Sequence, residues 1–192
     1  MSFFDSAYRG TPPWDIGRPQ GEFVRLEERG AIVGDVIDVG CGTGENSLFL
    51  ASRGHEVLGV DSSELAIRKA RAKAAKRDIK ADFKVWDALH LHELGMRFDC
   101  GIDCGFFHTL SDASRLRYQR TLHSVLKLKG RYFMLVFSDE EPDWGGPRRI
   151  SKGEIRTTFA TEWEVESIEE ARFEDHFGRG GARAWLSTIR RV

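Results

Sequence analysis

The chain has 192 residues, 41% of them hydrophobic, which suits one domain with a continuous core. Its 29 basic residues balance 30 acidic ones for a net charge of −1, with both signs spread along the chain. That balance argues against a long polyanionic partner, so no nucleic acid is expected. The 3 cysteines lack zinc spacing, no run is apolar enough to span a bilayer, and no leader-like segment is present. The expectation is no metal, no membrane contact, and a cytoplasmic, reducing location.

Residues 8 to 20 hold Pro12 and Pro13 between Gly10 and Gly17, which makes a stiff loop, and Glu22 to Arg29 reads as the helix that anchors it. Val36-Ile37-Asp38-Val39 is an apolar run of β-formers ending at Gly40-Cys41-Gly42-Thr43-Gly44, and Glu45 to Arg53 then has a helical pattern. Strand, tight turn and helix start in that order make a loop for a nucleotide-type ligand. Glycine suits backbone at positive φ or close to a ligand, and a helix start offers unpaired N–H groups. The dinucleotide fingerprint needs a third glycine where Glu45 stands, and a carboxylate there would face the pyrophosphate, which disfavours a nicotinamide dinucleotide. No Lys-Ser or Lys-Thr follows the glycines, so a P-loop is absent.

Gly54 to Asp61 reads as a turn and a second apolar strand that ends on an acid about 20 residues past the glycines, where an acceptor for ribose hydroxyls belongs. Ser62, Ser63 and Glu64 open a helix through Lys76, whose basic residues form a solvated face. Asp82 to Asp87 is a third strand and Arg97 to Cys104 a fourth. Ser111-Asp112 starts a helix with apolar positions Tyr118, Leu122, Val125 and Leu126, which Lys129-Gly130 stops. Tyr132 to Phe137 is a fifth strand, apolar throughout, and 140 to 149 is a loop. Ser151 to Glu154 is a capping box before a short helix through Phe159. Trp163–Ile168 and Ala184–Arg191 alternate as an antiparallel hairpin at the sheet edge. Alternating strands and helices give an α/β, doubly wound, mostly parallel sheet with helices on both faces, and its ligand at the carboxyl ends of the strands. The glycine loop, Asp61, Asp87 and Asp103 all fall at such ends.

The Asp38 to Gly44 pattern, D-x-G-x-G-x-G, together with Asp61 and Asp87, resembles the class I S-adenosylmethionine-dependent methyltransferases over roughly residues 19 to 192. The resemblance implies a Rossmann-like, seven-stranded sheet with an antiparallel last strand. It also implies S-adenosyl-L-methionine as methyl donor and S-adenosyl-L-homocysteine as product. By position, Asp38 would face the ligand's ammonium. Gly40, Cys41, Gly42 and Gly44 would line its methionine portion, Asp61 and Ser62 its ribose, and Asp87 with Ala88 its adenine. Asp103 and Cys104 would border the sulfonium and the acceptor.

Residues 8 to 20, with Pro13-Trp14-Asp15-Ile16-Gly17, are similar to the opening segment of thiopurine, thiol-halide, heterocycle-methylating and tellurite-resistance methyltransferases. This likeness implies a single methyltransferase domain over 1–192, with residues 1–30 capping the ligand, and a monomer or weak homodimer. It also implies a small thiol, hydroxyl or heterocycle as acceptor, and Trp14 offers the sulfonium a cation–π contact. His108, just past the fourth strand, is the candidate general base. A non-catalytic S-adenosylmethionine-binding sensor or partner subunit is the competing reading.

Overall fold

The computed structural model describes residues 3–176 and 180–192. Residues 1, 2 and 177–179 of the expected 1–192 domain lie outside the described residues. Seven strands form one sheet: β1 (Val36–Val39), β2 (Val57–Asp61), β3 (Asp82–Val85), β4 (Phe98–Cys104), β5 (Leu126–Phe137), β6 (Trp163–Phe173) and β7 (Ala182–Arg191). Their order is β3-β2-β1-β4-β5-β7-β6. β1 pairs in parallel with both β2 and β4, β3 joins β2 and β5 joins β4 in parallel, and β7 runs antiparallel to both β5 and β6. The expected tail hairpin therefore inserts its second strand between β5 and the edge. Charged Glu164, Glu166, Glu169 and Glu170 mark the outer strand β6 and blunt that edge against further pairing.

The helices are α1 (Phe3–Ala7), α2 (Gly21–Glu28), α3 (Glu45–Ser52), α4 (Glu64–Arg77), α5 (Asp112–Val125) and α6 (Lys152–Thr158), with short tight turns of helix at Ala88–Leu94 and Phe107–Thr109. Period-2 alternation splits the strand residues between two cores. Ile37, Val39, Tyr132, Met134 and Val136 pack with Tyr118 and Leu122 of α5. Val36, Ile102, Phe133 and Leu135 pack with Phe23 and Leu26 of α2 on the other face. The two faces are thus both covered, as the sequence pattern requires of a parallel sheet.

Two boundaries differ from the sequence expectation. Leu126 is the first residue of β5, paired with Phe98, instead of a core position at the end of α5. Lys129 adopts φ 66°, so the chain kinks within the strand instead of ending a helix there. α1 was not legible, because five residues are too few to carry a period.

The start of α3 shows why glycine is needed. Gly44 has φ 82°, and a Cβ there would lie 2.7 Å from the Phe83 ring and 3.0 Å from the Ala70 Cβ. Gly44→Ala is predicted to cost about 2–4 kcal/mol from left-handed strain plus overpacking. Urea unfolding should show a lower midpoint at unchanged slope, and an unmoved midpoint contradicts the assignment.

Candidate active site

A cavity of about 950 Å³ opens at the carboxyl ends of β1, β2, β4 and β5, where the strand order reverses. Gly40, Asp61, Ser62, Trp86, Asp87 and Ala88 wall one end. Cys104, Phe106, His108, Phe137, Trp144 and Phe173 wall the other. Phe4, Tyr8 and Trp14 form part of the same wall, which brings the N-terminal segment to the site. Trp14 Nε1 donates to the Tyr8 hydroxyl at 3.0 Å.

The glycine loop is built by its own chain as much as for a ligand. Gly40, Gly42 and Gly44 have φ 70°, 54° and 82°. A Cβ at Gly40 would meet Phe106 Cβ at 2.7 Å, and one at Gly42 the Tyr8 hydroxyl at 2.6 Å. Gly42 N–H donates to Asp61 Oδ2 at 2.9 Å and Ser63 N–H to Asp61 Oδ1 at 2.8 Å, so the acid at the end of β2 also fixes the loop. Burial raises the Asp61 pKa while these two N–H groups oppose the rise. Each of its oxygens keeps a lone pair for a ligand hydroxyl. Cys41, Gly42 and Gly44, expected along the methionine portion, do not reach the cavity wall; Gly44 is covered by Phe83 and Ala70.

Asp38 also lies behind the wall. Its Oδ2 accepts from Ser47 Oγ at 2.6 Å, and its Oδ1 is buried with no partner among the described residues. Burial pushes this carboxyl up to about 7, with Asp103 and Asp61 adding to the rise. A buried acceptor without a donor is costly, and a ligand ammonium would complete it. The orphaned oxygen and the half-used Asp61 therefore fit a ligand with an amino-acid end and a ribose.

Glu45 does not face the cavity as the sequence suggested. It binds Arg77 at 2.7 and 2.8 Å and Lys73 at 2.8 Å, so α4 neutralises it. At the far end Asp87 caps the Ala88–Leu94 turn through Leu89 N–H at 2.9 Å and holds His90 Nδ1 at 3.0 Å. Trp86 is fixed by its Nε1 donating to His90 O at 3.1 Å.

Asp103, expected to border the sulfonium and acceptor, does not line the cavity. It is fully buried and accepts from Phe106 N–H at 2.8 Å, Phe107 N–H at 3.1 Å, Tyr132 at 2.8 Å and Tyr118 at 3.4 Å. Burial pushes it up to about 7 against these donors. It fastens the turn that carries His108. His108, the expected general base, lies on the cavity wall with one ring nitrogen already engaged. Its Nδ1 accepts from Phe137 N–H at 3.1 Å, and burial, then Arg115 and Arg149, push its pKa down to about 3. The pairing with Phe137 is a long-range contact that no local pattern announces.

The 140–149 loop carries a residue that the sequence reading missed. Arg149 donates to Pro142 O at 2.7 Å, Gly145 O at 3.1 Å and Pro147 O at 2.6 Å, and lies 4.3 Å over the Trp144 ring. It is the pin that holds the loop as a cavity wall.

A profile of the methyltransferase domain matches residues 36–130. A 2-heptyl-1-hydroxyquinolin-4(1H)-one methyltransferase of Mycobacteroides abscessus is 36% identical, over 95% of this chain and 87% of that protein. A thiocyanate methyltransferase of Brassica oleracea is 27% identical over 74% of this chain and 64% of that one. A solved structure from work on the conversion of a disulfide bond into a thioacetal group during echinomycin biosynthesis has TM-score 0.89 and 38% identity, covering 98% of this chain and 91% of that chain. The chain belongs to the methyltransferase domain family, and it is an S-adenosylmethionine-dependent methyltransferase.

The state of Asp38 has a measurable sign. A carboxyl raised to about 7 in the folded state keeps its proton where the unfolded chain has lost it. Its folded form is therefore favoured at low pH and loses that advantage as pH rises toward 7. In ligand-free protein Asp38→Asn should gain stability relative to the parent as pH rises from about 5 to 8. Paired thermal melts across that range test this, and a pH-independent difference contradicts it.

Proposed function

We propose that this methyltransferase acts on a small heteroaromatic acceptor bearing a hydroxyl or thiol, in the cytoplasm, as a monomer or weak homodimer. The observation that carries this is the acceptor end of the cavity, where Phe106, Leu110, Phe137, Trp144 and Phe173 supply an apolar, aromatic wall. Such a chamber suits a flat ring system. The relative named for a hydroxyquinolinone supports the reading, and so does the thiocyanate relative, whose acceptor is sulfur-bearing. A sensor that only binds the methyl donor has no use for this aromatic end of the cavity. The balanced surface charge favours a small molecule over nucleic acid.

Asp61 would hold the ribose hydroxyls, Asp38 the ammonium, the Gly40 backbone the methionine portion, and Asp87 with Ala88 the adenine. S-adenosylmethionine, when bound, supplies a methyl group already activated on a sulfonium. The protein's share is to exclude water, set the line of attack and place the acceptor. Trp14 on the cavity wall can face the sulfonium charge, a contact of about 1–2 kcal/mol when desolvated.

A panel of thiols, phenols, N-hydroxy heterocycles and N-heterocycles, read by S-adenosylhomocysteine release, tests the acceptor class. Turnover should concentrate in the hydroxylated or thiol-bearing heteroaromatics, and donor binding with no turnover anywhere on the panel counts against it. Asp61→Ala should weaken donor binding on the order of 100-fold through two lost charge-assisted hydrogen bonds. Calorimetry showing unchanged affinity would remove the ribose assignment. Trp144→Ala should raise the acceptor KM about tenfold and leave donor affinity unchanged; equal losses in both would show that Trp144 serves the whole fold instead.

A further inference from the structure

The acceptor end contains few polar groups, and most of them are already committed. Thr109 Oγ1 donates to Phe106 O at 2.7 Å. Ser111 Oγ accepts from Ser114 N–H at 3.2 Å and donates to Ser114 Oγ at 2.9 Å. Arg148 is paired with Asp112 and Glu154. His108 is different. Phe137 N–H has one proton and can only donate, so the Nδ1 it reaches at 3.1 Å is unprotonated. The neutral imidazole then carries its proton on Nε2. That nitrogen lies beside Gly105, where a Cβ would sit 3.2 Å away, and no hydrogen bond among the described residues reaches it.

We propose that His108 is a fixed hydrogen-bond donor, its Nε2–H aimed into the cavity to hold an acceptor that enters already deprotonated, as a delocalised oxyanion. This rests on the heteroaromatic hydroxyl reading above and goes further, since it specifies the acceptor's charge state and removes the need for a protein base. The groups around the imidazole agree. The rings of Phe137 at 4.6 Å and Phe173 at 5.9 Å pack on it. Arg115 from α5 and Arg149 from the loop are the charges that act on it, and both oppose its protonation. Arg148 and Asp175 lie on the cavity wall. Where histidine serves as a base, a carboxylate commonly receives the other ring N–H and stabilises the imidazolium. Here a backbone N–H occupies that position with the opposite polarity.

An oxyanion has three lone pairs, so one can accept from Nε2–H while another attacks. The attacking oxygen pair forms the new O–C bond, and the S–C bond breaks with its electron pair left on sulfur. The acceptor's proton has already gone to water, and His108 keeps its own throughout.

The test uses the whole chain and a series of heteroaromatic hydroxyls with acidities from about pKa 5 to 9, measuring kcat/KM against pH. In the parent the rising limb should move with the acceptor's own pKa. His108→Gln offers an amide donor but no base, and should stay within about tenfold of the parent. His108→Phe offers neither, and should lose about 100-fold with the same acceptor-dependent midpoint. A limb fixed at one pH for every acceptor and abolished in His108→Gln would overturn the proposal, as would parental activity in His108→Phe. A second readout needs no turnover. Long-range 1H–15N NMR of the ligand-free protein should show His108 as the Nε2-protonated tautomer from about pH 5.5 to 8.5; an Nδ1–H or imidazolium signal overturns it. If the tautomer is as stated but no acceptor in the series is methylated, the acceptor class fails and takes the oxyanion role with it. If acceptors turn over but the tautomer is wrong, the donor role alone fails.

Discussion

The Asp103 carboxylate is the interaction on which the acceptor half of this molecule depends. At the end of β4 it gathers two backbone N–H groups and two tyrosine hydroxyls from α5 and β5. Those contacts set the turn that presents Gly105, Phe106 and His108 to the cavity. Phe106 then closes over Gly40, so the two sides of the site meet at a single turn. A carboxyl buried this deeply is expensive unless its lone pairs are filled. Four donors fill them, and what the arrangement provides is a fixed geometry for the segment facing the acceptor.

The donor half follows a different logic. Asp61 is satisfied by the loop it braces, while Asp38 retains an oxygen with nothing to bind. Three acids thus sit at neighbouring strand ends in three states: Asp103 is filled by four donors, Asp61 accepts one N–H on each oxygen, and Asp38 keeps one oxygen without a partner among the described residues. On the proposed reading, the ammonium of the methyl donor would relieve the third. The largely apolar end beside it has no such need, and among its few polar groups His108 offers an oriented imidazole.

Much of this was legible in the sequence. Asp38 to Gly44, Asp61 and Asp87 mark strand ends through local pattern, so the sheet and its ligand edge could be read directly, and the cofactor followed from the family resemblance those residues carry. Trp14 and Ala88 line the cavity. What local pattern cannot show is which way a side chain turns once strands pair. Asp103 and Glu45 both lie at motif positions, yet one is consumed by tyrosines far along the chain and the other by basic residues of α4. His108 is held by Phe137 N–H, 29 residues along the chain, and Arg149 reaches carbonyls across its own loop.

The central claim is that the buried acids at the strand ends are completed by the ammonium and ribose of the methyl donor. Calorimetric titration of S-adenosylmethionine in buffers of different ionisation enthalpy tests it most directly. An Asp38 carboxyl poised at about 7 must lose its proton when an ammonium arrives. Binding at neutral pH should therefore release protons, and the release should shrink as pH rises past 7 and the donor's own amino group begins to take protons up. Binding with no proton release at neutral pH would contradict the account.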